Sequence, residues 1–309
     1  MTQSLGPWSA SRCVVTGASG FIGSSVGRRL RALGAHVHGL SRTQAPADAV
    51  NSWSACDLIS ASNVTTALAE ARPEVIFHVA ATPRWDRELS SVLPTVGDFL
   101  LSFINLVNAA MQTGVRRIIC TGSLQEPDQT LPPVPNTPYA AAKFAASAYA
   151  RMFAQEFAVP VTIVRPFMVY GPGQRDFTKL VPYVLNRLLQ QQPAELSSGQ
   201  QRFDWVYVDD VAEAMVLAAS REDLVGATLD VGSGSLTSVA EIAVGLARRV
   251  GRPELLQFNA RPDRTHESTR AADIAATAAC LGWKARTPLQ EGLDLTVQWY
   301  RRAHQSATI

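Results

Sequence analysis

Tyr139 and Lys143 stand four residues apart in an alanine-rich helical stretch that follows Pro138. On a helix, an i, i+4 pair shares one face. An ammonium beside a phenol stabilises the phenolate and pulls the tyrosine pKa down from about 10. Such a tyrosine can give or take a proton at a reacting oxygen. Upstream, Cys120-Thr121-Gly122-Ser123 closes a β-like run, and Ser123 could polarise a carbonyl beside Tyr139. Tyr-x-x-x-Lys alone occurs by chance. Here Lys143 is one of three lysines (with Lys179 and Lys284) among 28 basic residues.

A second feature gives the pair its context. Thr16-Gly-Ala-Ser-Gly-Phe-Ile-Gly23 follows the first β-like run and opens the first helix. Glycines at 17, 20 and 23 permit a tight turn. They let backbone N–H groups approach a pyrophosphate at the positive helix end. The expected contacts are Gly17, Ser19, Gly20, Phe21, Ile22 and Gly23. In that setting Lys143 would also hydrogen-bond a nicotinamide ribose. An acid at the end of the second strand would hold the ribose 2′-hydroxyl of NAD. The sequence there is Val37-His-Gly-Leu-Ser-Arg-Thr43, without an acid. Ser41 and Arg42 can bind a 2′-phosphate instead. NADP(H) is the preferred cofactor, with NAD(H) as the alternative.

These groups need a frame. Apolar strand patterns at 13–16, 35–40, 75–79, 117–120 and 161–164 alternate with helical patterns ending near 33 and at 64–71, 99–112 and 139–157. Repeated β-α-β units with apolar strands predict a parallel sheet covered on both faces. The fold class is α/β: a Rossmann doubly wound parallel sheet with a smaller, interleaved C-terminal substrate domain. Residues 1–168 form the cofactor domain, with 206–232 returning to it. Residues 169–205 and 233–309 form the substrate domain. Strands are expected at 205–208 and 228–231, and helices at 180–189, 211–219, 239–250, 274–281 and up to 299.

Composition excludes other classes. The chain has 309 residues, 47% hydrophobic and 17% charged, with a net charge of +2. That is too apolar for disorder, too weakly charged for a coiled coil, and too neutral for a general nucleic-acid binder. No run of 18 apolar residues predicts a membrane span. Residues 1–11 lack the pattern of a signal peptide, so a cytoplasmic location is expected. The four cysteines form no CxxC pair and read as free thiols, with no zinc-ligand spacing.

Eight segments carry a resemblance: TGASGFIG (16–23), CDL (56–58), HVAA (78–81), TGS (121–123), YAAAK (139–143), RPFMVYGPGQ (165–174), FDWVYVDDVA (203–212) and LGW…LQEGL…TVQWY (281–300). In this order the chain resembles the extended short-chain dehydrogenases/reductases of the NAD-dependent epimerase/dehydratase (nucleotide-sugar) group. The resemblance implies Ser123, Tyr139 and Lys143 as the catalytic triad. It implies that Asp57 and Leu58 border the adenine, and that Ala80, Ala81 and Pro166 line the cofactor. Arg165 and the Tyr170 loop would mark where the substrate domain begins. Arg261 would meet a substrate diphosphate, and Asp209 and Asp210 would cap a helix. It also implies a homodimer built on the helices at 99–112 and 139–157.

The departures narrow the chemistry. Family dehydratases carry an acidic pair just after the strand-end threonine. Here Gly122-Ser123-Leu124-Gln125 intervenes before Glu126, so a 4,6-dehydratase is disfavoured. Met168 replaces an asparagine that holds the diphosphate, and Arg202 stands one position earlier than the family arginine. Arg202, Arg261, Arg264 and Arg175 could supply that charge. Thr82 and Trp85 would overhang the nicotinamide end, where Trp85 could stack on a sugar. Phe99 stands near the place of a helix-kinking asparagine. The expected activity is NADPH-dependent reduction of a nucleotide-linked 4-keto-6-deoxyhexose. The alternatives are a nucleotide-sugar 4-epimerase retaining NAD, a small-molecule ketone or aldehyde reductase, and a catalytically silent NAD(P)-binding protein.

Overall fold

The computed structural model describes residues 8–81, 87–127, 133–263 and 269–306. They divide into two compact units. The first comprises residues 1–166, 212–230 and 276–283, and the second 167–211, 231–275 and 284–309.

In chain order the first unit begins with β1 (Arg12–Thr16), α1 (Phe21–Ala32), β2 (His36–Ser41), β3 (Ser52–Ala55), α2 (Ala61–Ala71) and β4 (Val75–His78). A long helical segment follows. It contains α3 (Val92–Thr95), a π-helical stretch (Val96–Leu101) and α4 (Ser102–Gln112). Then come β5 (Arg117–Thr121), α5 (Pro138–Phe157) and β6 (Val161–Pro166). The second unit opens with β7 (Met168–Tyr170), α6 (Leu180–Leu189), β8 (Ala194–Glu195) and β9 (Arg202–Tyr207). The chain continues through α7 (Val208–Ala219), β10 (Thr228–Val231), β11 (Leu236–Ser238), α8 (Val239–Val250), β12 (Leu256–Gln257), α9 (Ile274–Leu281) and α10 (Leu289–Gln305).

Seven strands form the main sheet in the order β10-β6-β5-β4-β1-β2-β3. The pairs from β6 to β3 all run parallel. The doubly wound sheet expected from the sequence is present. Val14, Val15, Ile76, Phe77, Ile118, Ile119 and Ile163 are almost fully buried, as strands covered on both faces require. The strand order reverses between β1 and β4, and the crevice at their carboxyl ends is where such folds bind ligands. The glycine turn leaves β1 there, and Val79-Ala80 leaves β4.

Residues 89–112 are long and apolar enough to cross a membrane by composition. In this fold Phe103, Leu106, Val107 and Ala110 of that segment belong to the core beside the sheet. Asn105 donates to the Leu58 and Ile59 carbonyls at 3.1 and 2.9 Å.

The second unit has a three-stranded sheet, β11-β9-β7, and a pair, β12-β8. Its core joins Tyr170, Leu185, Trp205, Leu246, Val297 and Tyr300. Asp204 ties it together. This carboxylate is 1% exposed. It accepts from Ser233 N at 2.6 Å, Ser233 Oγ at 2.7 Å, Gly234 N at 2.9 Å and Ala272 N at 3.0 Å. Asp210 accepts from Thr287 N at 3.0 Å, in the loop before α10.

Three sequence expectations need correction. β3 was not foreseen. The chain rejoins the first unit at Ala212, not at 206, because β9 extends through Tyr207 in the second unit's sheet. Residues 276–283, expected in the substrate domain, belong to the first unit. There Thr277 Oγ1 donates to the Asp230 carbonyl of β10 at 2.7 Å.

Removing the Asp204 carboxylate strands four donors, three of them half-buried and one buried. Asp204→Ala should lose about 3 kcal/mol or more of stability, read from the urea midpoint. An unchanged midpoint would show that these bonds contribute nothing net.

Candidate active site

The glycine turn is fixed by close backbone contact. Gly17 has φ +67°, and a Cβ there would lie 2.7 Å from Ala80 Cα. Its N–H donates to the Leu40 carbonyl at 2.7 Å. A Cβ on Gly23 would lie 2.2 Å from the Gly17 carbonyl oxygen. Gly20 caps α1 with no side-chain bond, and the first turn carries no acid. The N–H groups of Phe21, Ile22 and Gly23 thus face no side-chain cap. This arrangement fits a dinucleotide pyrophosphate. Ser19 Oγ accepts from Thr43 Oγ1 at 3.0 Å beside the turn.

Thr16, fully buried, links β1 to β4. Its Oγ1 accepts from Val79 N and Ala80 N, both at 3.1 Å. It also meets His78 Nδ1 at 3.1 Å. With both lone pairs taken, the hydroxyl donates to Nδ1, which assigns the Nε2–H tautomer to His78. Burial, then the Lys143 charge, pushes His78 down to about 3, so the ring stays neutral.

At the end of β2, Ser41 is buried. Its hydroxyl accepts from Trp53 Nε1 at 2.8 Å and donates to the Thr43 carbonyl at 2.7 Å. With its proton and one lone pair engaged, the expected donation to a 2′-phosphate falls to Arg42 alone, which is exposed. Asp57 is exposed, and its Oδ1 accepts from Ile59 N at 3.1 Å. Leu58 belongs to the core, Ala80 is half-buried, Ala81 is exposed and Pro166 is buried. Arg165 Nε donates to Asp230 Oδ1 at 2.5 Å, pairing β6 with β10.

Ser123, Tyr139 and Lys143 come together in the first unit. α5 starts where Thr137 Oγ1 accepts from Ala140 N at 3.0 Å, with Pro138 in its first turn. That start aims Tyr139 and Lys143 at the end of β5. Tyr139 hydrogen-bonds the Ser123 side chain. The three residues are 6%, 7% and 5% exposed. Lys143 Nζ donates to the Thr121 carbonyl at 2.7 Å and to Thr121 Oγ1 at 3.1 Å.

Two neighbours named from the sequence only as departures from the family pattern join the cluster. Phe99 lies in the π-helical stretch and packs edge-on against Tyr139, with ring centroids 5.1 Å apart. Its ring also lies 5.1 Å from Lys143 Nζ. The helix thus departs from α geometry here without an asparagine. Glu126 is 3% exposed, and its Oε1 accepts from Ser123 N at 2.7 Å. Its position three residues after Ser123, at the end of a strand, was the available signal.

One expectation is reversed. Spacing predicted that Lys143 lowers the Tyr139 pKa. Burial instead pushes Tyr139 up to about 12, the Glu126 charge adds to this, and the Ser123 hydrogen bond opposes it. Burial pulls Lys143 down to about 8, against the raising influence of Glu126 and Cys120. The ammonium is directed at Thr121 rather than at the phenol.

Thr82, Trp85 and Arg264 lie outside the described residues. In the second unit, Met168 pairs with Trp205 across β7 and β9. Arg202 donates to the Leu236 carbonyl at 2.8 Å and pairs with Glu241 at 3.7 Å. Arg261 stacks on Tyr183 at 4.9 Å and pairs with Glu195 at 3.4 Å. Both guanidinium groups are engaged within that unit.

Comparison with known proteins places the chain in a family. Residues 13–232 match the model of the NAD dependent epimerase/dehydratase family. The chain is an oxidoreductase-type enzyme belonging to this family. It is 31% identical to UDP-glucose 4-epimerase of Mycolicibacterium smegmatis (strain ATCC 700084 / mc(2)155), over 95% of this chain and all of that protein. It is 29% identical to dTDP-D-glucose 4,6-dehydratase of Mus musculus, over 74% of this chain and 68% of that one. Among solved structures, MoeE5 in complex with UDP-glucose and NAD matches with a TM-score of 0.83 at 31% identity. That match covers 95% of this chain and all of MoeE5.

Gly23→Ala forces a Cβ into the Gly17 carbonyl and must open the turn. Calorimetric NAD affinity should fall about tenfold or more, a loss above about 1.4 kcal/mol. An unchanged affinity would remove the turn from cofactor binding.

Proposed function

We propose that the chain is an NAD-dependent 4-epimerase of a nucleotide-linked hexose, with UDP-glucose as the first substrate to test. One observation carries this. The M. smegmatis UDP-glucose 4-epimerase matches along its whole length, at 31% identity. The assembled Ser123, Tyr139 and Lys143 cluster supports it. The acid pair expected of a dehydratase is lacking, and Glu126 is buried against Ser123 N.

The roles follow from position. The Ser123 hydroxyl holds the sugar oxygen at C4. Tyr139 takes the proton of the sugar's C4 hydroxyl as hydride leaves C4, and later returns it to the same oxygen. The chemistry that a bound nicotinamide supplies is hydride acceptance from C4 and hydride return to it. Removal and return balance, so no net cofactor is consumed. A phenol pushed up to about 12 holds its proton firmly until a charge favours the anion. Gly17, Ser19, Gly20, Phe21, Ile22 and Gly23 would hold the pyrophosphate, and Lys143 the ribose.

A second reading, NADPH-dependent reduction of a 4-keto-6-deoxyhexose, is favoured by exposed Arg42 at the end of β2, where no acid stands. The two differ in cofactor balance. The proposed enzyme interconverts UDP-glucose and UDP-galactose without a change in NADH absorbance. The reductase would leave UDP-glucose untouched and consume NADPH with a 4-keto sugar.

The proposal extends to a homodimer through the helices at 89–112 and 138–157. Leu89, Leu93, Met111, Tyr149 and Phe157 are all exposed there. Phe157→Glu should convert a dimer to a monomer in light scattering, and a wild-type monomer would refute this arrangement.

Tyr139→Phe removes the proton carrier and little volume. Turnover of UDP-glucose should fall by about 100- to 10,000-fold while NAD binding persists. Unchanged turnover would exclude Tyr139 as the acid–base group.

A further inference from the structure

Glu126 is a buried acid beside Ser123 for which the assigned chemistry has no use. The residue is 3% exposed and lies in the turn that follows β5. Oε1 accepts from Ser123 N at 2.7 Å, and the Ser147 hydroxyl of α5 also bonds the carboxylate. Glu126 N donates back to the Ser123 carbonyl at 3.0 Å. A Cβ on Gly122 would lie 2.6 Å from Glu126 Oε1, so a side chain there would push the carboxylate out of this position. Ser123 Oγ accepts from Gln125 N at 3.2 Å, which completes a tight turn around the serine.

We infer that Glu126 is a positioning residue of the hydride-transfer site, fixing the Ser123 backbone and supplying the anion that balances the buried Lys143 ammonium beside Tyr139. This deepens the proposed function and rests on it for the roles of those three residues.

Turn capping alone would need no charge. A glutamine, or an ordered loop carbonyl, could accept from Ser123 N as well. A charge is costly at this depth unless a partner offsets it. Burial raises the Glu126 pKa, while the Ser123 N–H, Arg165, Ser147 and Lys143 lower it. The influence is mutual, because Glu126 raises Lys143 against its own burial.

The surroundings leave few other titrating groups. Cys120 on β5 is pushed up to about 12, and His78 on β4 down to about 3. Both stay neutral through the working range. Arg165 on β6 and Arg151 on α5 are fixed cations. Tyr139 is pushed up to about 12. Among the described residues around this turn, the groups left to change charge are Glu126, raised by burial, and Lys143.

Lysine NMR tests this without any substrate. The chain has three lysines, so 13C-lysine protein gives three Cε signals. Lys143→Met assigns the one of interest. In wild type its main midpoint is expected near 8. In Glu126→Gln the balancing anion is gone, so that midpoint should fall by half a pH unit or more, about threefold in proton affinity. The melting temperature should stay close to wild type. An unmoved midpoint in folded Glu126→Gln overturns the inference.

If that variant does not fold, the wild-type Lys143 signal decides. It should show a second, smaller inflection above the ordinary carboxylate range as Glu126 titrates, and a single inflection overturns the inference. With UDP-glucose, Glu126→Gln should lower kcat about ten- to a hundredfold with little change in KM. Both limbs of its pH profile should move to lower pH, because the lost anion had raised both Tyr139 and Lys143. A shifted Lys143 midpoint in an enzyme that ignores UDP-glucose would sink the substrate assignment and leave the Glu126 role standing.

Discussion

A buried ammonium cannot keep its charge without partners, and the first unit is arranged to give Lys143 several. Its Nζ reaches the Thr121 carbonyl and hydroxyl at the end of β5 and the ring of Phe99 on the π-helical stretch. Glu126, beyond β5, adds the compensating charge. Each partner comes from a different place in the chain. The β5 register, the helical irregularity at 96–101 and the turn after Ser123 must all be correct together. Tyr139 then has little freedom. It sits one helical turn before Lys143, edge-on to Phe99 and bonded to Ser123.

The same constraint reaches the glycine turn. His78 lies at the end of β4, and its Nδ1 meets the Thr16 hydroxyl that also gathers Val79 N and Ala80 N. That hydroxyl holds β4 against β1 where the strand order reverses. Gly17 rests on Ala80 so closely that no Cβ fits between them. The glycine turn and the Ser123, Tyr139 and Lys143 cluster therefore share one buried seam of β1, β4 and β5. The neutral state of His78 belongs to this design, since a second cation beside Lys143 would be costly.

Much of this was legible in the sequence, for reasons that differ by element. The apolar strands of the sheet announce themselves because both faces are covered. The helices at 180–189, 239–250 and 274–281 start and end where the pattern places them. β3 escaped because Ser-Trp-Ser-Ala is half-exposed at the sheet edge and carries no apolar run. The glycine turn and the Tyr139–Lys143 pair could be found by spacing, since local geometry alone brings them together. The direction of the Tyr139 shift could not. Spacing reveals a neighbouring charge but not the burial that outweighs it. The partners of Ser41, Arg202 and Arg261 were equally hidden, because each is set by tertiary neighbours.

The central claim is a redox-neutral exchange at one sugar carbon, run by Ser123, Tyr139 and Lys143. The most direct measurement uses UDP-glucose deuterated at C4, incubated with the enzyme and NAD and followed by NMR. The account predicts UDP-galactose with the deuterium still on C4 and no net NADH. Loss of the label to solvent, net NADH formation, or recovery of UDP-glucose with no UDP-galactose formed would contradict it.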